Sequence, residues 1–273
     1  MITLKYTASS GNEYDLNMNG ILTRVANFHA WKWSPVGVDL KYGQRVTDFS
    51  RDSVSYQATL VFNGTKYSRR AFIDQLHEDF EADIRNMTPG KITWGDWYIQ
   101  CYIIESSTEP AEQWTENTIS IFCPRPFWVK EEFKMFSADA NTASTFLDYS
   151  FDFSYDYWSG PAGSETWVRS HPFPSDFQLT IFGEAAQPTI YINGHRYGLT
   201  EGLEEDEYVT IDSRNHTIIK TNADSTTENY FDYRDKTESI FELIPGGSLT
   251  LEWEGSFGFN LRIYDERSEP AWS

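Results

Sequence analysis

The sequence predicts a mainly β protein, with an N-terminal β-domain that carries one amphipathic helix and a C-terminal antiparallel all-β domain. Three observations predict it. The chain is long enough, at 273 residues, for two domains. Aromatic residues, which favour strands and large contact surfaces, make up 16% of it. Only residues 68–87 have helical periodicity, whereas alternating strand patterns bounded by turns recur through the rest. We place the domains at 1–132 and 176–273, joined by a linker over 133–175.

The first 60 residues contain short β segments that end at turns. Residues 21–25 and 28–33 are candidate strands, and Ser34-Pro35 is expected to end the second. From Val54 to Phe62, apolar and mostly polar residues alternate, which is the pattern of a half-buried strand. Asn63-Gly64 then predicts a turn.

The helix over 68–87 carries a broad apolar stripe. Phe72, Leu76 and Phe80 are spaced four apart, and the stripe is completed by Ile73, Ile84 and Met87. We expect Ser68 to cap the start and Pro89-Gly90 to prevent continuation. Because the opposite face is charged, at Asp74, Glu78, Glu81 and Arg85, we predict that the helix packs on its own sheet.

Four aromatic residues downstream are candidate contacts with a partner or with other copies in a ring. Trp94 and Trp97 flank the predicted hairpin turn Gly95-Asp96, where burial in a core is less automatic than in mid-strand. Phe127 and Trp128 follow Pro124 and Pro126, which stop sheet pairing after the strand at 115–122. Tryptophan is enriched at interfaces, and this motivates the prediction.

The predicted linker leads into a region of many short strands. Within it, residues 149–158 alternate aromatic side chains with Asp or Ser, which fits either a half-buried strand or a crossover that grips a neighbouring domain. Strand patterns follow at 177–181, 189–192, 208–211, 217–219, 241–244, 249–253 and 257–264. Connections this short require antiparallel pairing, in a sandwich or a barrel.

The charge balance excludes several function classes. Forty-one acidic and 22 basic residues give a net charge of −19. Such a chain is unsuited to recognising nucleic acid or an anionic membrane, since both carry the same sign. The acid either keeps the protein soluble or lines a surface past which DNA slides without adhering. No segment has the pattern of a signal peptide or a membrane span, so we expect a chain made in the cytosol, with Cys101 and Cys123 as buried thiols.

No residue pattern indicates catalysis, and we predict no catalytic residue, metal or cofactor. The five histidines are scattered, and His77-Glu78 lacks the second histidine of a zinc-protease motif. No glycine-rich turn joins a strand to a helix, and no nucleophile elbow occurs. The abundant carboxylates leave a glycoside hydrolase open, since such an enzyme needs only two of them correctly placed.

In the order and spacing of its motifs, the chain resembles the distal tail protein of long-tailed, non-contractile bacteriophages and prophages. The N-terminal part of the resemblance rests on the Asn63-Gly64 turn, the helix, the hairpin over 94–104 and the segment 122–128. The linker motif at 151–157 continues it. The C-terminal part rests on 188–194 with Tyr197, and on 211–213, 244–247 and 266–272.

The resemblance implies a structural hub of the virion tail tip or baseplate, assembled in the cytoplasm of the bacterial host. It implies a ring, hexameric in the family, with N-terminal domains as its belt and galectin-like C-terminal sandwiches projecting outward. Its partners would be other copies, the tail tube protein, the tail-associated fibre or lysin and the receptor-binding proteins. DNA would only pass through the lumen, and no membrane contact is implied.

A carbohydrate-binding protein that recognises host cell-surface glycans is the alternative. Sugar rings stack on aromatic faces, and Trp158 and Trp167 are the candidate residues for such contacts. The chain has no room for an inserted carbohydrate-binding module of the kind that larger members of the resembled family carry.

Overall fold

The computed structural model describes residues 4–17, 20–63, 66–110, 114–138 and 163–272. The chain forms two compact units: unit 1 comprises Met1–Lys130 with Glu266–Ser273, and unit 2 comprises Glu131–Asp265. The domain bounds 1–132 and 176–273 stay predictions, and unit 1 also takes in Glu266–Ser273. Much of the predicted linker, residues 139–162, lies outside the described residues.

Unit 1 is an antiparallel sheet with one helix. Its elements, in chain order, are β1 (Leu4–Thr7), β2 (Glu13–Asp15), β3 (Ile21–Ala26), β4 (Ser34–Asp39), β5 (Gln44–Ser50), β6 (Val54–Asn63), α1 (Lys66–Arg85), β7 (Gly90–Trp94), β8 (Trp97–Pro110), β9 (Trp114–Cys123) and the start of β10 (Trp128–Phe136). Strand pairing follows the order β2-β1-β7-β8-β9-β6-β3, and β4 pairs with β5 in a separate two-stranded sheet.

The core of unit 1 confirms the strand pattern over β6. Tyr56, Ala58, Leu60 and Phe62 are all buried, and the residues between them are exposed or half-buried. The candidate strand at 28–33 is wrong, because residues 28–29 form a turn and residues 30–33 belong to no strand. Ser34-Pro35 begins β4 rather than ending a strand. Proline is tolerated there because the strand lies at a sheet edge, where its missing N–H is not needed.

Helix α1 confirms the predicted packing but differs from the prediction in its ends and in its stripe. Leu76 and Phe80 are buried, and the predicted charged face is exposed. The helix begins at Lys66, so Ser68 lies within it and is not its cap. Ile84 and Met87 are exposed, and their inclusion in the stripe was wrong. Asp83 occupies the buried face one turn before Met87, and the helix ends at Arg85, before Met87 adopts a positive φ of 53°.

Unit 2 is an antiparallel sandwich. After the rest of β10, its strands are β11 (Gly163–Val168), β12 (Asp176–Phe182), β13 (Thr189–Ile192), β14 (His195–Gly198), β15 (Tyr208–Asp212), β16 (Thr217–Thr221), β17 (Thr227–Asn229), β18 (Ser248–Trp253) and β19 (Phe259–Arg267), with one 3-10 turn at Phe231–Tyr233. One sheet has the order β17-β16-β15-β12-β19-β10 and the other β11-β18-β13-β14.

One core lies between the two sheets of unit 2. Phe177 and Leu179 of β12 and Ile190 and Leu251 of the opposite sheet belong to one buried cluster, which makes the unit a sandwich as predicted. The predicted strand at 241–244 was wrong except at its last residue. Ile244 makes a single bridge to Ser175, and the preceding residues form a turn.

Candidate subunit-contact surface

A two-stranded arm is the most exposed element of unit 1. The arm consists of β4, β5 and the turn between them, residues 34–50. Within the described part of the chain, its strands pair only with each other, in a register that runs from Ser34 opposite Ser50 to Asp39 opposite Gln44. Each strand therefore presents a free edge of backbone donors and acceptors, which is a template for pairing with another chain.

Two glycines shape the arm. At its tip, the N–H of Leu40 donates to the carbonyl oxygen of Gly43 across 2.9 Å, and Gly43 has a φ of +83°, which favours glycine. At Gly37 the register shifts, and a Cβ placed there would lie 2.2 Å from the carbonyl oxygen of Arg45. Only glycine permits so close an approach of the two strands.

The arm carries apolar side chains on both faces. The register puts Phe49 and Val46 on one face and Val36 and Val38 on the other. Every residue of β5 is exposed, and Tyr42 at the tip is 84% exposed. An isolated two-stranded hairpin is at best marginally stable in water, so a surface of this kind favours coverage by a partner.

The arm is electrically neutral in a strongly acidic chain. It contains Asp39 and Asp48 together with Lys41 and Arg45, whereas the whole chain has a net charge of −19. The net charge makes two copies of this protein repel one another. The arm itself adds no net charge to that repulsion.

The root of the arm is an aromatic and cationic cluster. Trp33 directly precedes β4 and Arg51 directly follows β5. The Arg51 guanidinium lies 5.8 Å from the Trp33 ring centroid and 5.1 Å from that of Phe127, and the two rings lie 5.9 Å apart. Burial lowers the pKa of Arg51, and flat aromatic faces are suitable neighbours for a poorly hydrated guanidinium.

The predicted contact residues occupy different environments in unit 1. Phe127 is half-buried in the cluster at the root of the arm. Trp94 is also half-buried; it packs against the core, and its Nε1 donates to the carbonyl oxygen of Ala271 across 3.2 Å. Trp97 is buried, with the Arg267 guanidinium 5.2 Å from its ring, and Trp128 is completely buried beside Phe28. Within the described structure, Trp97 and Trp128 can therefore act on a partner only through the elements that they position.

The two predicted sugar-contact residues are not brought together by the described structure. Trp158 lies outside the described residues. Trp167 is half-buried in unit 2, where its ring packs against the core, 6.4 Å from that of Phe136 and 5.9 Å from the Lys134 ammonium. Its aromatic face is thus partly covered by its own unit. A role for either residue in binding sugar stays a prediction.

The polar clusters among the described residues link elements of the fold to one another. The described ranges hold no group of three or more His, Cys, Asp or Glu side chains placed to bind a metal, and none of their helices could cross a membrane. Ser106 Oγ lies 3.2 Å from His77 Nε2, but that histidine also contacts Asn117 Nδ2 at 3.1 Å, and Ser106 is exposed on a strand. This network joins α1 to β8 and β9.

Sequence reasoning missed the arm. The signals were present, as alternating Val36 and Val38, the apolar Val46, and a Tyr42-Gly43 turn between them. Such a pattern predicts a hairpin but does not indicate whether its apolar residues face a core or solvent. Only the structure shows that they are exposed.

The chain has the fold of phage hub and baseplate proteins. It matches the crystal structure of the Dit protein of phage SPP1, described as a paradigm of the hub adsorption apparatus in phages that infect Gram-positive bacteria. The TM-score is 0.64 and the identity 10%, over 98% of this chain and 99% of that one. A chain in the baseplate of phage P2, in its activated conformation with Ca, matches with a TM-score of 0.63 and 12% identity, over 99% and 100%. No protein-family model and no curated protein matches the sequence.

Proposed function

We propose that this protein is a structural hub of a phage tail tip, which works by closing into a ring of six copies. The arm is the observation that carries the proposal, because it has exposed apolar side chains on both faces, is neutral, and is unpaired at both edges within the described structure. A fold shared over the full length with hub and baseplate chains supports it. In a closed ring each arm would be covered by the next copy, which protects its edges.

As a tail-tip hub, the ring would also contact other proteins of the tail. The ring would join the tail tube protein to the tail-associated fibre or lysin, and would carry receptor-binding proteins at its side. DNA would pass through its lumen during infection. A net charge of −19 suits that passage, because an acidic wall does not bind the phosphate backbone. The protein would act at the tail tip of the virion, after assembly in the host cytoplasm.

The test is the mass of the particle in solution. We expect the wild-type protein at micromolar concentration to sediment as a particle of six times 31.6 kDa. The variant Val38→Asp/Phe49→Asp adds a buried charge to each face of the covered arm, so it should weaken association by at least about a hundredfold, a cost of ~2.7 kcal/mol. It should stay folded, because both side chains are exposed in the single chain.

A matched control keeps this experiment specific. Val168 and Phe173 lie in unit 2 and are 75% and 65% exposed, so Val168→Asp/Phe173→Asp introduces the same two charges, in the same residue types, at similarly exposed sites outside the arm. The control should assemble like the wild type. A wild-type protein that sediments as a monomer, or an arm variant that assembles as well as the control, would contradict the proposal.

A further inference from the structure

The C-terminal residues of the chain hold the root of the arm. Ser268 contacts both ends of the hairpin: its Oγ accepts a hydrogen bond from Trp33 Nε1 at 3.2 Å, and its carbonyl oxygen accepts one from the Arg51 guanidinium at 3.1 Å. Trp33 and Arg51 stand next to Ser34 and Ser50, which are opposite one another in the register. One residue thus ties together the start of β4 and the end of β5.

The segment that supplies Ser268 is itself fixed to unit 1. We call residues 266–272 the C-terminal clamp. Glu266 forms an ion pair with Arg125 at 2.8 Å, and the carbonyl oxygen of Ala271 accepts the bond from Trp94. Trp272 stacks on His29 with 3.7 Å between ring centroids. The clamp is therefore anchored on both sides of Ser268, so it can resist displacement of the arm.

The arm depends on such a support. Its residues are exposed or half-buried, and within the described structure it pairs with no other strand. A hairpin of this kind gains little order from its own packing. Its direction is then set where it joins the unit, through the Trp33–Arg51–Phe127 cluster and the two hydrogen bonds to Ser268.

We infer that the C-terminal clamp is a positioning element, which holds the arm in the direction that a second copy of this chain requires. The inference rests on the proposed function, since it takes the arm as the contact between copies. Ordering the arm in advance lowers the conformational entropy lost when a neighbouring copy covers it, so the clamp strengthens association without itself touching the neighbour. Within the clamp, Ser268 carries this role through its hydrogen bonds from Trp33 and Arg51.

Two variants interrupt the clamp from opposite sides. Trp33→Phe/Arg51→Met removes both hydrogen-bond donors to Ser268 at the root of the arm and keeps side chains of related shape. Deletion of residues 268–273 removes the acceptor. The matched control, Trp31→Phe/Arg85→Met, replaces the same residue types; Trp31 is exposed, and the Arg85 guanidinium pairs with Glu81 one turn away on α1.

Amide hydrogen exchange and sedimentation together test the inference. Exchange is measured with Val38→Asp/Phe49→Asp present in every protein, so that assembly does not protect the arm. Both clamp variants should speed exchange over residues 34–50 by about tenfold and leave β6 unchanged, because only a local opening is affected. In proteins that lack Val38→Asp/Phe49→Asp, the same two clamp variants should weaken association by about tenfold. The control should change neither the exchange rate of the arm nor the association constant.

Other results overturn the inference. Unchanged exchange in the arm would show that the clamp does not order it. Equal acceleration in the arm and in β6 would show a general loss of stability, and unchanged association would show that the arm needs no positioning. A wild-type protein that fails to assemble would contradict the proposed function, whereas the exchange result would still decide whether the clamp orders the arm.

Discussion

Two aspartates on the buried face of α1 join the helix to the start of the chain. Asp83 accepts hydrogen bonds from the Tyr6 hydroxyl and from the backbone N–H and hydroxyl of Ser9, the latter two at 2.9 and 2.6 Å. Asp79 accepts from Tyr14, Asn12 and Ser10. All these donors are neutral, so the two carboxylates are stabilised by hydrogen bonding rather than by an opposite charge.

Removal of one of these donors should destabilise unit 1. In Tyr6→Phe the carboxylate of Asp83, which is almost fully buried, loses its tyrosine partner. We expect the free energy of unfolding to fall by about 1–3 kcal/mol, the usual cost of a buried polar group left short of a partner. Chemical denaturation measures it. Tyr42→Phe, the same substitution at an exposed site on the arm, is the control, and an equal loss in both would contradict the argument.

The same cluster predicts a loss of stability in alkali. Burial, and then the hydrogen bond and charge of a neighbouring aspartate, raise the pKa of Tyr6 and of Tyr14 above the usual 10.0. A group with a raised pKa in the folded state contributes stability that is complete below pH 10 and is lost as the pH rises further. Each tyrosine should contribute a slope of up to about 1.4 kcal/mol per pH unit.

Denaturation curves at a series of pH values check this prediction. Between neutral pH and pH 10 the contribution of the cluster should be constant, and above pH 10, the ordinary tyrosine pKa, stability should decline. The free energy of unfolding of Tyr6→Phe should start lower and decline less steeply than that of the wild type, because one of the two tyrosines of this cluster is gone. A variant with the same alkaline slope as the wild type would show that Tyr6 does not titrate on unfolding.

At the scale of elements, α1 shows how strongly the helix face on which a side chain lies determines what that side chain contributes to the free energy of unfolding. Leu76 is 1% exposed in the core of unit 1, whereas Ile84, two turns later, is 40% exposed. Leu76→Ala should lower the free energy of unfolding by about 2–5 kcal/mol, since it removes buried methyl groups and leaves a cavity. Ile84→Ala should change it by no more than about 0.5 kcal/mol. Thermal or urea unfolding of the two variants compares them directly, and similar losses would contradict the assigned face.

The elements that the sequence could predict are those whose pattern is local. Four-residue spacing of Phe72, Leu76 and Phe80 indicated the helix, and alternation along 54–62 indicated β6. Asp79 and Asp83 escaped prediction, because charged residues are expected in solvent and their partners lie more than 60 residues away in sequence. Ser268 also escaped prediction, because its contacts with Trp33 and Arg51 span more than 200 positions in the sequence.

Exposure was the other property beyond the reach of the sequence. Val38 and Phe49 have the residue types of a core, and only the folded structure shows that they face solvent on the arm. Conversely, Trp97 and Trp128 have the residue types of an interface and are buried. Composition predicts extensive contact surface, which stays a prediction, but tertiary packing decides which aromatic residues are exposed.

For the whole molecule in the proposed ring, the balance between a neutral arm and a net charge of −19 determines how association responds to salt. When two copies meet through their arms, the rest of each chain, which carries the net negative charge, is also brought close to that of the other. At low ionic strength this repulsion acts over several nanometres, whereas at about 0.1 M salt it is screened beyond roughly 10 Å. The apolar contact of the arms depends little on moderate salt, so it should persist as the repulsion weakens.

Association should therefore strengthen as monovalent salt rises from the low millimolar range towards physiological ionic strength. Sedimentation equilibrium of the wild-type protein at several salt concentrations measures the change, which we expect to be about tenfold or more in the association constant. The clamp variant Trp33→Phe/Arg51→Met should be weaker at every concentration yet show a similar slope, because it alters the order of the arm and leaves the net acidic charge nearly the same. If association instead weakens with added salt, attraction between charges holds the copies together, and the arm is not their principal contact.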